Sequence, residues 1–463
     1  MAMRLNEIAM AVNGRLSGED LTVSSVGIDT RTLKPGDLYI AIKGHNFDGN
    51  EFVDAARQAG AVAAIVNQDV TAELPLIQVP DTRLALGRLA SVWRRQAGAK
   101  AVGMTGSNGK TTVKEMVAAI LAGEGPVLAT KGNLNNDIGV PLTLLGLTEQ
   151  HRFAVIEMGA NHPGEIAYTS ALAQADVVII TNVGPAHIEG FGSVDGVAKA
   201  KGEILETLKA GGCAVLNRDD AYFDYWHGLV AGKALMSFGL NEQADVTAAN
   251  IRMGINAGQN PAAPEFTTGF ELVTPKGNIE INLKLAGRHN VINALAAAAA
   301  ALALGLSLAK VKQGLESLLP VTGRLQLLTG RQGNLVIDDT YNANSASLKA
   351  ALDVLAQCPN EHWLALGAFG ELGPESGEIH QQLGTMARAA GVTRLFAVGA
   401  DARHTVAGFG AGGSFFSDQQ ALITALQQEL ETRPVPRPTV LIKGSRAQRM
   451  ENVAAGLVEN FRM

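Results

Sequence analysis

Apolar runs that end in polar or glycine-rich loops recur along this chain and alternate with stretches of helical periodicity. The clearest of these runs, which we interpret as strands, cover residues 37–42, 61–66, 153–157 and 177–182. Helical patterns cover residues 52–59 and 84–96. Strands that alternate with helices predict parallel sheets and an α/β fold, in which ligands collect at the carboxyl ends of the strands.

The pattern divides the chain into three blocks, which we interpret as domains covering residues 1–82, 83–319 and 320–463. Roughly three domains are also what a chain of this length should form. Residues 246–285 alternate Thr, Asn and Gly with apolar residues, which predicts antiparallel strands appended to the central parallel sheet. The third block repeats the strand–helix pattern, and we expect it to be Rossmann-like, with strands at 335–337, 363–366, 395–398 and 440–442.

Composition narrows the possible functions. The net charge of −6 gives no general reason to bind nucleic acid or an anionic membrane. Cys213 and Cys358 are far apart in sequence, so no disulfide framework is indicated. Residues 1–10 lack the apolar core of a signal peptide, and the most apolar segment, 294–306, is shorter than the roughly 20 residues of a membrane helix. We therefore expect a cytoplasmic protein without membrane insertion, and a buried alanine-rich helix at 294–306.

The most informative stretch is the loop that follows an apolar run ending at Thr105. Its pattern is Gly-x-x-Gly-Lys-Thr, and a helical stretch follows it directly. Such a P-loop surrounds a polyphosphate with backbone N–H groups and a helix N-terminus, while the lysine reaches the terminal phosphates and the threonine hydroxyl takes Mg²⁺. The strict pattern is longer and would need glycine at Met104, so the alternative is an ordinary glycine-rich turn. We expect a nucleoside triphosphate site made by Thr105, Gly106, Ser107, Asn108, Gly109, Lys110, Thr111 and Thr112.

Other candidates for chemistry follow in the second block. Glu157 ends a strand and could hold Mg²⁺ against the β- and γ-phosphates, although a solvated acid is the alternative. His187 lies in a loop rich in Gly and Pro directly after the next strand, where a ligand and a structural histidine are equally plausible. Lys199 and Lys201 follow on a helical stretch, and from the residues alone they form a charged helix face.

Polar segments in the second half of the chain have both local and functional interpretations. Asn290 precedes the alanine-rich helix and is a candidate N-cap. Arg324 lies at the start of the third block, where an arginine can reach a neighbouring phosphate. Residues 338–344 place acids and amides after a strand, which requires a polar ligand or a tight turn. The basic loop 443–446 suits an anionic group, and a solvated turn is the alternative.

Taken in order, these segments resemble the Mur ligase family, and the resemblance covers essentially the whole chain. Residues 29–31, 35–37 and 44–49 look like its uridine-nucleotide domain. Its ATP loop and central-domain signatures are similar to residues 105–112, 133–139, 157–162, 187–193 and 287–290. Its carboxy-terminal domain is similar to residues 338–344, 371–373 and 443–446.

The match is closest to the family member that joins D-alanyl-D-alanine to UDP-N-acetylmuramoyl-tripeptide (UDP-MurNAc-tripeptide). The resemblance implies an ATP-dependent amide ligase that works through an acyl phosphate in the cytoplasmic synthesis of peptidoglycan precursors. It implies ATP, two Mg²⁺ sites and a carbamylated lysine, which by position is Lys201, with Lys199 as the nearby alternative. The substrates would be UDP-MurNAc-tripeptide, D-Ala-D-Ala and ATP, and we expect a monomer.

The resemblance also implies roles for individual residues. The catalytic residues would be Lys110, His187, Lys201 and Arg324. The metal ligands would be Thr111, Glu157, His187 and Lys201. Arg324, Asp339 for the ribose and Asn290 for the adenine side would complete the ATP site. The UDP-linked substrate would meet Asp29, Thr30, Arg31, Gly44, Asn46, Phe47 and Asp48. D-Ala-D-Ala would meet Tyr341, Asn342 and Asn344.

One departure and two rival functions accompany this interpretation. The family usually has an acid where this chain has Ala368, and Glu371 or nearby backbone is the expected substitute. The Asp-Asn-Pro-Arg type motif of members that add diaminopimelate or lysine is not found in the sequence, and the runs at 135–137 and 341–344 favour the dipeptide-adding member instead. A ligase that extends folate with glutamate lacks a uridine-nucleotide domain, so residues 29–49 argue against it. A module in which ATP drives closure without ligation would not couple phosphate release to both other substrates.

Overall fold

The structure, a computed structural model, describes residues 2–44, 46–184, 188–230, 232–256, 264–370, 372–459 and 461. This described part of the chain divides into two compact units. Unit 1 comprises Met1–Val183, Asp195–Phe238 and Ala296–Lys310, and unit 2 comprises Gly184–Val194, Gly239–Leu295 and Val311–Met463. The predicted α/β class with parallel sheets is confirmed in both units.

The first part of unit 1 is a small sheet with the strand order β2-β7-β6-β5-β4. Strands β4 to β7 pair in parallel and β2 joins them antiparallel, while β1 and β3 form a separate antiparallel pair. All residues of β5 and β6 are buried, as expected for parallel strands covered on both faces. The elements are β1 (Met3–Arg4), α1 (Leu5–Val12), β2 (Arg15–Ser17), β3 (Thr22–Val23), β4 (Ser25–Gly27), β5 (Asp37–Ile40), a 3₁₀ turn (Gly49–Phe52), α2 (Val53–Gln58), β6 (Ala63–Val66) and β7 (Leu76–Gln78).

Helix α3 (Thr82–Gln96) connects this sheet to the next one. It begins two residues earlier than the apolar pattern suggests, because the side chain of Asp81 caps it. The Asp81 carboxylate accepts hydrogen bonds from the backbone N–H groups of Arg83 (2.8 Å) and Leu84 (2.9 Å). Near its other end, buried Trp93 donates from Nε1 to the carbonyl of Leu147 at 2.9 Å.

The central sheet of unit 1 is parallel throughout, with the strand order β13-β12-β11-β8-β10-β9. The register pairs Met104 with Glu157 and Thr105 with Ile180, so the carboxyl ends of β8, β10 and β11 lie side by side. The segment from 100 to 238 contains β8 (Lys100–Thr105), α4 (Lys110–Ala122), β9 (Val127–Ala129), α5 (Gly139–Leu145), β10 (Phe153–Glu157), α6 (Glu165–Ala173), β11 (Val177–Ile180), α7 (Ile188–Phe191), α8 (Val194–Glu206), β12 (Cys213–Asn217), α9 (Phe223–Leu229) and β13 (Ala234–Phe238). Of these elements, α7 groups with unit 2.

The predicted antiparallel strands are present as β14 (Thr247–Asn256), β15 (Glu265–Thr274) and β16 (Gly277–Leu283), and they group with unit 2. Helices α10 (Arg288–Ala303) and α11 (Leu308–Ser317) follow. The alanine-rich helix is buried as predicted, since residues 294–301 have no exposed surface. The prediction that Asn290 is its N-cap is wrong, because α10 begins at Arg288 and Asn290 therefore lies inside the first turn.

The last part of unit 2 is a sheet with the strand order β17-β18-β22-β19-β20-β21. Its strands are parallel except for β17, which pairs antiparallel with β18 at the edge. The elements are β17 (Gln326–Thr329), β18 (Leu335–Asp339), α12 (Ser345–Leu355), β19 (His362–Gly367), a 3₁₀ turn (Gly373–Glu375), α13 (Ser376–Ala389), β20 (Arg394–Val398), α14 (Ala402–Phe409), β21 (Gly413–Phe416), α15 (Gln419–Thr432), β22 (Thr439–Lys443), a 3₁₀ turn (Arg446–Gln448) and α16 (Glu451–Leu457).

Helix length and hydropathy bear on membrane association. Across the described ranges, no helix combines the length and the apolar composition that a bilayer crossing requires.

We expect the substitution Asp81→Ala to destabilise unit 1 by about 1 kcal/mol, because two N–H groups at the start of α3 lose their acceptor. In a thermal scan this would lower the unfolding midpoint by about 2–4 °C. Asp81→Ser keeps an N-cap oxygen and should stay close to wild type. Equal midpoints for the alanine variant and the wild type would show that the cap does not stabilise the helix.

Candidate active site

The P-loop has the local geometry that its sequence pattern requires. Gly109 is the N-cap of α4 and has φ +82°, a left-handed conformation that favours glycine. Gly106 has φ +155°, and a Cβ on it would lie 1.8 Å from Oγ1 of Thr181. Gly106 is therefore needed for the close approach of the loop to the end of β11, and Gly109 for the left-handed backbone at the start of α4.

The loop is fastened to the end of β11 by Asn182. The N–H groups of Ser107 (3.0 Å) and Asn108 (2.9 Å) donate to the backbone carbonyl and side-chain oxygen of Asn182. Oγ1 of Thr181 (2.7 Å) and Nδ2 of Asn182 (3.0 Å) donate to the carbonyl of Asn108. Lys110 folds back over the loop and donates from Nζ to the carbonyl of Gly106 at 2.6 Å. The loop before α4 is thus held in place by Asn182, to which the sequence interpretation gave no role.

Glu157 is a buried carboxylate at the end of β10, with 3% of the residue exposed. Its Oε2 accepts a hydrogen bond from Oγ1 of Thr111 (3.1 Å), and its Oε1 accepts one from Nδ2 of Asn135 (3.0 Å). The structure therefore brings together the two oxygen donors of α4 and β10 that the sequence predicts as metal ligands. A hydroxyl and a carboxylate are hard oxygen ligands of the kind that Mg²⁺ prefers.

Two further polar residues, Thr130 and Lys114, hold the backbone around Glu157 by hydrogen bonds, and the sequence interpretation missed both. The N–H group of Glu157 donates to Oγ1 of Thr130 at 3.0 Å. Buried Lys114 donates from Nζ to the carbonyl of Thr130 at 2.8 Å and pairs with Glu115 at 2.8 Å. A lysine one turn after the P-loop lysine is the signal that was available, since a buried ammonium needs polar partners.

Lys201 and Lys199 differ in their surroundings although both lie on α8. Lys199 is exposed, whereas Lys201 is buried with 7% of its surface exposed. Burial, together with the positive charge of Lys110, lowers the pKa of Lys201 to about 7. Near neutral pH its side chain is therefore partly an uncharged amine.

Part of the predicted metal site falls on residues that the structure does not describe. His187 lies outside the described residues, and so does Glu371, the expected substitute for an acid at Ala368. Within the described ranges, no cluster of three or more His, Cys, Asp or Glu side chains is arranged to hold a metal ion.

The second group of predicted residues lies at the carboxyl edge of the C-terminal sheet. Asp339 ends β18 and is paired in register with Lys443, which ends β22. The carboxylate of Asp339 forms an ion pair with Nζ of Lys443, and only 1% of the lysine side chain is exposed. Lys443 also donates to the carbonyl of Asn342 at 3.1 Å. The charge of Lys443 is therefore matched inside the protein by Asp339, and Arg446 of the predicted basic loop 443–446 also has an acidic partner, Glu451 at 3.0 Å.

The ring of Tyr341 lies near two arginines. The guanidinium of Arg324 lies 4.3 Å from the centre of the Tyr341 ring, and that of Arg446 lies 6.0 Å from it. Such cation–π contacts restrict the orientation of an arginine side chain. Neighbouring Asp338 is completely buried, and this burial raises the pKa of its carboxyl group, while hydrogen bonds from Thr340 oppose the rise.

Asn290 and Asn344 both have local structural roles. Asn290 is buried, donates from Nδ2 to the carbonyl of Ala286 at 2.7 Å, and accepts from Nδ2 of Asn293 at 3.1 Å. Asn344 is the N-cap of α12, where its side chain accepts from the N–H group of Ser347 at 2.8 Å. Asn344 therefore has a structural role in α12 that is separate from any contact with a substrate.

The residues predicted for the UDP-linked substrate form two loops beside β5. Asp29 accepts from the backbone N–H of Arg31 (3.0 Å) and from its guanidinium (2.6 Å), and these bonds lower the pKa of Asp29 to about 2. This pair and the adjacent Thr30 keep part or most of their surface exposed.

The second of these loops, around residues 44–48, is a turn closed by the N–H of Gly44 and the carbonyl of Phe47 at 3.0 Å. Asn46 is exposed, and Phe47 is 57% exposed with its ring edge-on to Phe52. Asp48 accepts from the side chains of Asn50 (2.6 Å) and Gln68 (2.9 Å), which fixes its orientation. An exposed aromatic ring beside a fixed carboxylate is suited to a ligand that combines a flat ring with polar groups.

The departure at Ala368 is accommodated by packing. Ala368 is 7% exposed, and a Cβ placed on Gly399 would lie 2.7 Å from the Cβ of Ala368. The polar contact at this position is made by the backbone: the carbonyl of Ala368 accepts a hydrogen bond from Oγ of Ser445 at 2.7 Å.

The comparisons with known families cover nearly the whole chain. Residues 104–301 match the Mur ligase middle domain, residues 323–446 match the Mur ligase glutamate ligase domain, and residues 22–94 match the Mur ligase family catalytic domain. The UDP-N-acetylmuramoyl-tripeptide--D-alanyl-D-alanine ligase of Escherichia coli is 43% identical over 99% of this chain and 99% of its own length.

Solved structures give the same result. The crystal structure of MurF from Acinetobacter baumannii has a TM-score of 0.91 and 37% identity, covering 98% of each chain. The MurF ligase of Thermotoga maritima in complex with ADP has a TM-score of 0.82 and 27% identity, covering 94% of this chain and 97% of that one. With this agreement in sequence along its length and in fold, the chain belongs to the Mur ligase family.

Proposed function

We propose that this chain is an ATP-dependent ligase that joins D-alanyl-D-alanine to UDP-MurNAc-tripeptide in the cytoplasmic synthesis of peptidoglycan precursors. The single observation that carries the proposal is the contact of Thr111 with Glu157, which links the P-loop helix to a buried carboxylate in a chain that matches dipeptide-adding ligases from end to end. The domain boundaries we propose are 1–82 for the UDP-linked substrate, 83–319 for ATP, and 320–463 for the amine substrate and part of ATP. A monomer is the simplest form consistent with these assignments.

The phosphates of ATP are assigned to the start of α4. Residues 105–112 supply backbone N–H groups and the positive end of the helix, and Lys110 supplies a cation that can leave its intramolecular acceptor, the carbonyl of Gly106. Thr111 and Glu157 would hold one Mg²⁺, and Glu157, His187 and Lys201 would hold the other. When bound, these ions neutralise the charge that develops on the phosphates.

Lys201 fits this second site only if it carries an anionic group, since an ammonium cannot ligate a cation. A carbamate forms when the neutral amine nitrogen attacks the carbon of CO₂: an N–C bond forms, one C=O π bond breaks with its electron pair moving to oxygen, and the nitrogen loses a proton. The pKa of about 7 supports this assignment, because a normal lysine near pH 7 would hold almost no neutral amine. Lys199 lies on the same helix but is exposed, and it is the weaker candidate.

Ligation needs two transfers, and the chain's residues position groups for both. The terminal carboxylate of the tripeptide attacks the γ-phosphorus, the bond to ADP breaks, and an acyl phosphate results. The amine of D-Ala-D-Ala then attacks the carbonyl carbon, the C–N bond forms, phosphate leaves, and the amine loses a proton. Such chemistry requires orientation and charge neutralisation more than a protein nucleophile. Lys110 and Arg324 are the cations we assign to it.

The remaining contacts follow from the chemistry of the substrates. Asp29, Arg31 and the loop around Phe47 suit a uridine diphosphate, which offers a flat base and two phosphates. Tyr341, Asn342 and Asn344 offer donors and acceptors for the amide and carboxylate of the dipeptide. Asp339 and Asn290 are proposed for the ribose and the adenine side of ATP, with the ion pair to Lys443 orienting Asp339.

The experiment that tests the proposed function is phosphate release measured with each substrate omitted in turn. We expect release to require ATP, UDP-MurNAc-tripeptide and D-Ala-D-Ala together, and the ligated product to appear in equal amount by mass spectrometry. Free D-Ala should be a far poorer acceptor, because it lacks the peptide carbonyl and the second residue. Release without the amine, or equal use of single amino acids such as L-Lys, would overturn the dipeptide assignment.

We expect Lys201→Ala to lower kcat by at least about 100-fold, because a metal ligand is lost. Added short carboxylic acids should restore part of the activity, and Lys199→Ala should behave like wild type. Since the neutral amine is the reactive form, carbamate labelling with ¹³C-bicarbonate should fall as the pH drops below about 7. An inactive Lys199→Ala beside an active Lys201→Ala would reverse the assignment.

The pair Asn344→Ala and Asn344→Asp separates helix capping from substrate binding. Aspartate keeps the oxygen that caps α12 but removes the amide donors, so its thermal midpoint should match wild type. For both variants we expect kcat/KM for D-Ala-D-Ala to fall by an amount that corresponds to roughly 1–3 kcal/mol of lost transition-state stabilisation. The KM for ATP should change little. If Asn344→Asp uses the dipeptide as well as wild type does, the residue is only a cap.

A further inference from the structure

The backbone that leaves β19 shares an edge of the C-terminal sheet with the residues proposed for the dipeptide and the ribose. The register of the sheet pairs Lys443 of β22 with Asp339 of β18 on one side and with Leu366 of β19 on the other. Residues 368–370 therefore begin beside the loops that follow Asp339 and Lys443. In this chain the side chain at 368 is only a methyl group, so the position of the backbone decides what the loop can do.

Three hydrogen bonds fix this backbone. The N–H of Ala368 donates to the carbonyl of Val398 at 2.9 Å, and the carbonyl of Ala368 accepts from Oγ of Ser445 at 2.7 Å. The N–H of Phe369 donates to Nε2 of His380 at 3.0 Å. The first two come from neighbouring strands and their loops, and the third comes from a side chain on α13.

His380 connects α13 to this loop by hydrogen bonds. It has no exposed surface, and the ring of Phe369 packs edge-on against it with the ring centres 6.2 Å apart. Because Nε2 accepts the N–H of Phe369, the ring proton must be on Nδ1, which lies 2.8 Å from the carbonyl of Ser376. Ser376 in turn donates from Oγ to Asp401 at 2.6 Å. Each ring nitrogen of the neutral imidazole therefore forms a hydrogen bond, Nδ1 with Ser376 at the start of α13 and Nε2 with Phe369 in the loop.

Hydrogen bonds and an ion pair connect the loop held by His380 to the proposed substrate residues. Ser445 joins the carbonyl of Ala368 to the end of β22, two residues after Lys443. Lys443 binds the carboxylate of Asp339 and the carbonyl of Asn342. A shift of the backbone at 368–369 would therefore be passed to Ser445 and to the lysine that orients both groups.

We propose that His380 is a positioning residue of the ligase: it fixes the backbone of Ala368 and Phe369 and thereby the geometry of the site for D-Ala-D-Ala. The proposal rests on the proposed function, since it assigns the amine substrate to this edge of the sheet. His380 itself touches no substrate. Its effect reaches the site through the bonds of Ser445 and Lys443.

The test compares His380→Met with His380→Gln in the full-length protein. Methionine fills a similar volume but offers the N–H of Phe369 only a weak sulfur acceptor, whereas glutamine offers a side-chain oxygen. We expect His380→Met to raise the KM for D-Ala-D-Ala about tenfold, the effect of one buried hydrogen bond on a binding equilibrium. The KM for UDP-MurNAc-tripeptide should change little, and His380→Gln should recover most of the loss.

Leu383→Val on the same helix is the matched control, because Leu383 is fully buried on α13 and has no polar role. Its loss of thermal stability should not be accompanied by a change in the KM for the dipeptide. If Leu383→Val raises that KM as much as His380→Met does at an equal loss of stability, or if His380→Gln fails to recover it, the positioning role is overturned. Failure of the proposed function is recognised separately, since the wild type itself would then show no dipeptide-dependent phosphate release.

Discussion

A buried carboxylate is stable only with polar partners, and the partners of Glu157 come from segments that are distant in sequence. Thr111 of α4 and Asn135 bind its two oxygens, while Thr130 accepts its backbone N–H. The energetic cost of leaving any of these groups unpaired fixes the P-loop helix, the end of β9 and the end of β10 relative to one another. The rest of the proposed ATP site depends on this arrangement, because Lys110 and Thr111 are carried by the same first turn of α4.

Unit 2 uses the same principle with opposite charges. Lys443 is almost completely buried and has its partner in Asp339 on the adjacent parallel strand. Breaking such a pair by removing one member leaves an uncompensated buried charge, which is strongly destabilising. The pair therefore holds the ends of β18 and β22 in register, and the carbonyl of Asn342 is fixed by the same ammonium.

Close packing around small residues completes both sites. Gly106 leaves room for Thr181, so the P-loop can lie against the end of β11 and be fastened there by Asn182. Ala368 lies against Gly399, and its backbone is held by Ser445 while the next N–H is held by His380. In each case a small residue permits close approach of two loops, and a polar side chain from another element fixes the result.

The sequence by itself determined the α/β class, the P-loop, the strand that ends at Glu157, the antiparallel insertion and the buried alanine-rich helix, because each depends on a local pattern of apolar positions or on a short motif. The tertiary structure decided what such patterns cannot encode. Helix α3 starts at Thr82 because Asp81 caps it, and Asn290 lies inside α10, since a capping side chain acts through backbone geometry that the apolar period does not report. Partners such as Asn182, Thr130 and His380 come from distant segments, so only the folded chain shows them. For the same reason the residue pattern alone could not distinguish Lys199 from Lys201, and only the family resemblance favoured Lys201. Burial beside Lys110, which lowers the pKa of Lys201, is a property of the packed helix and not of its residues.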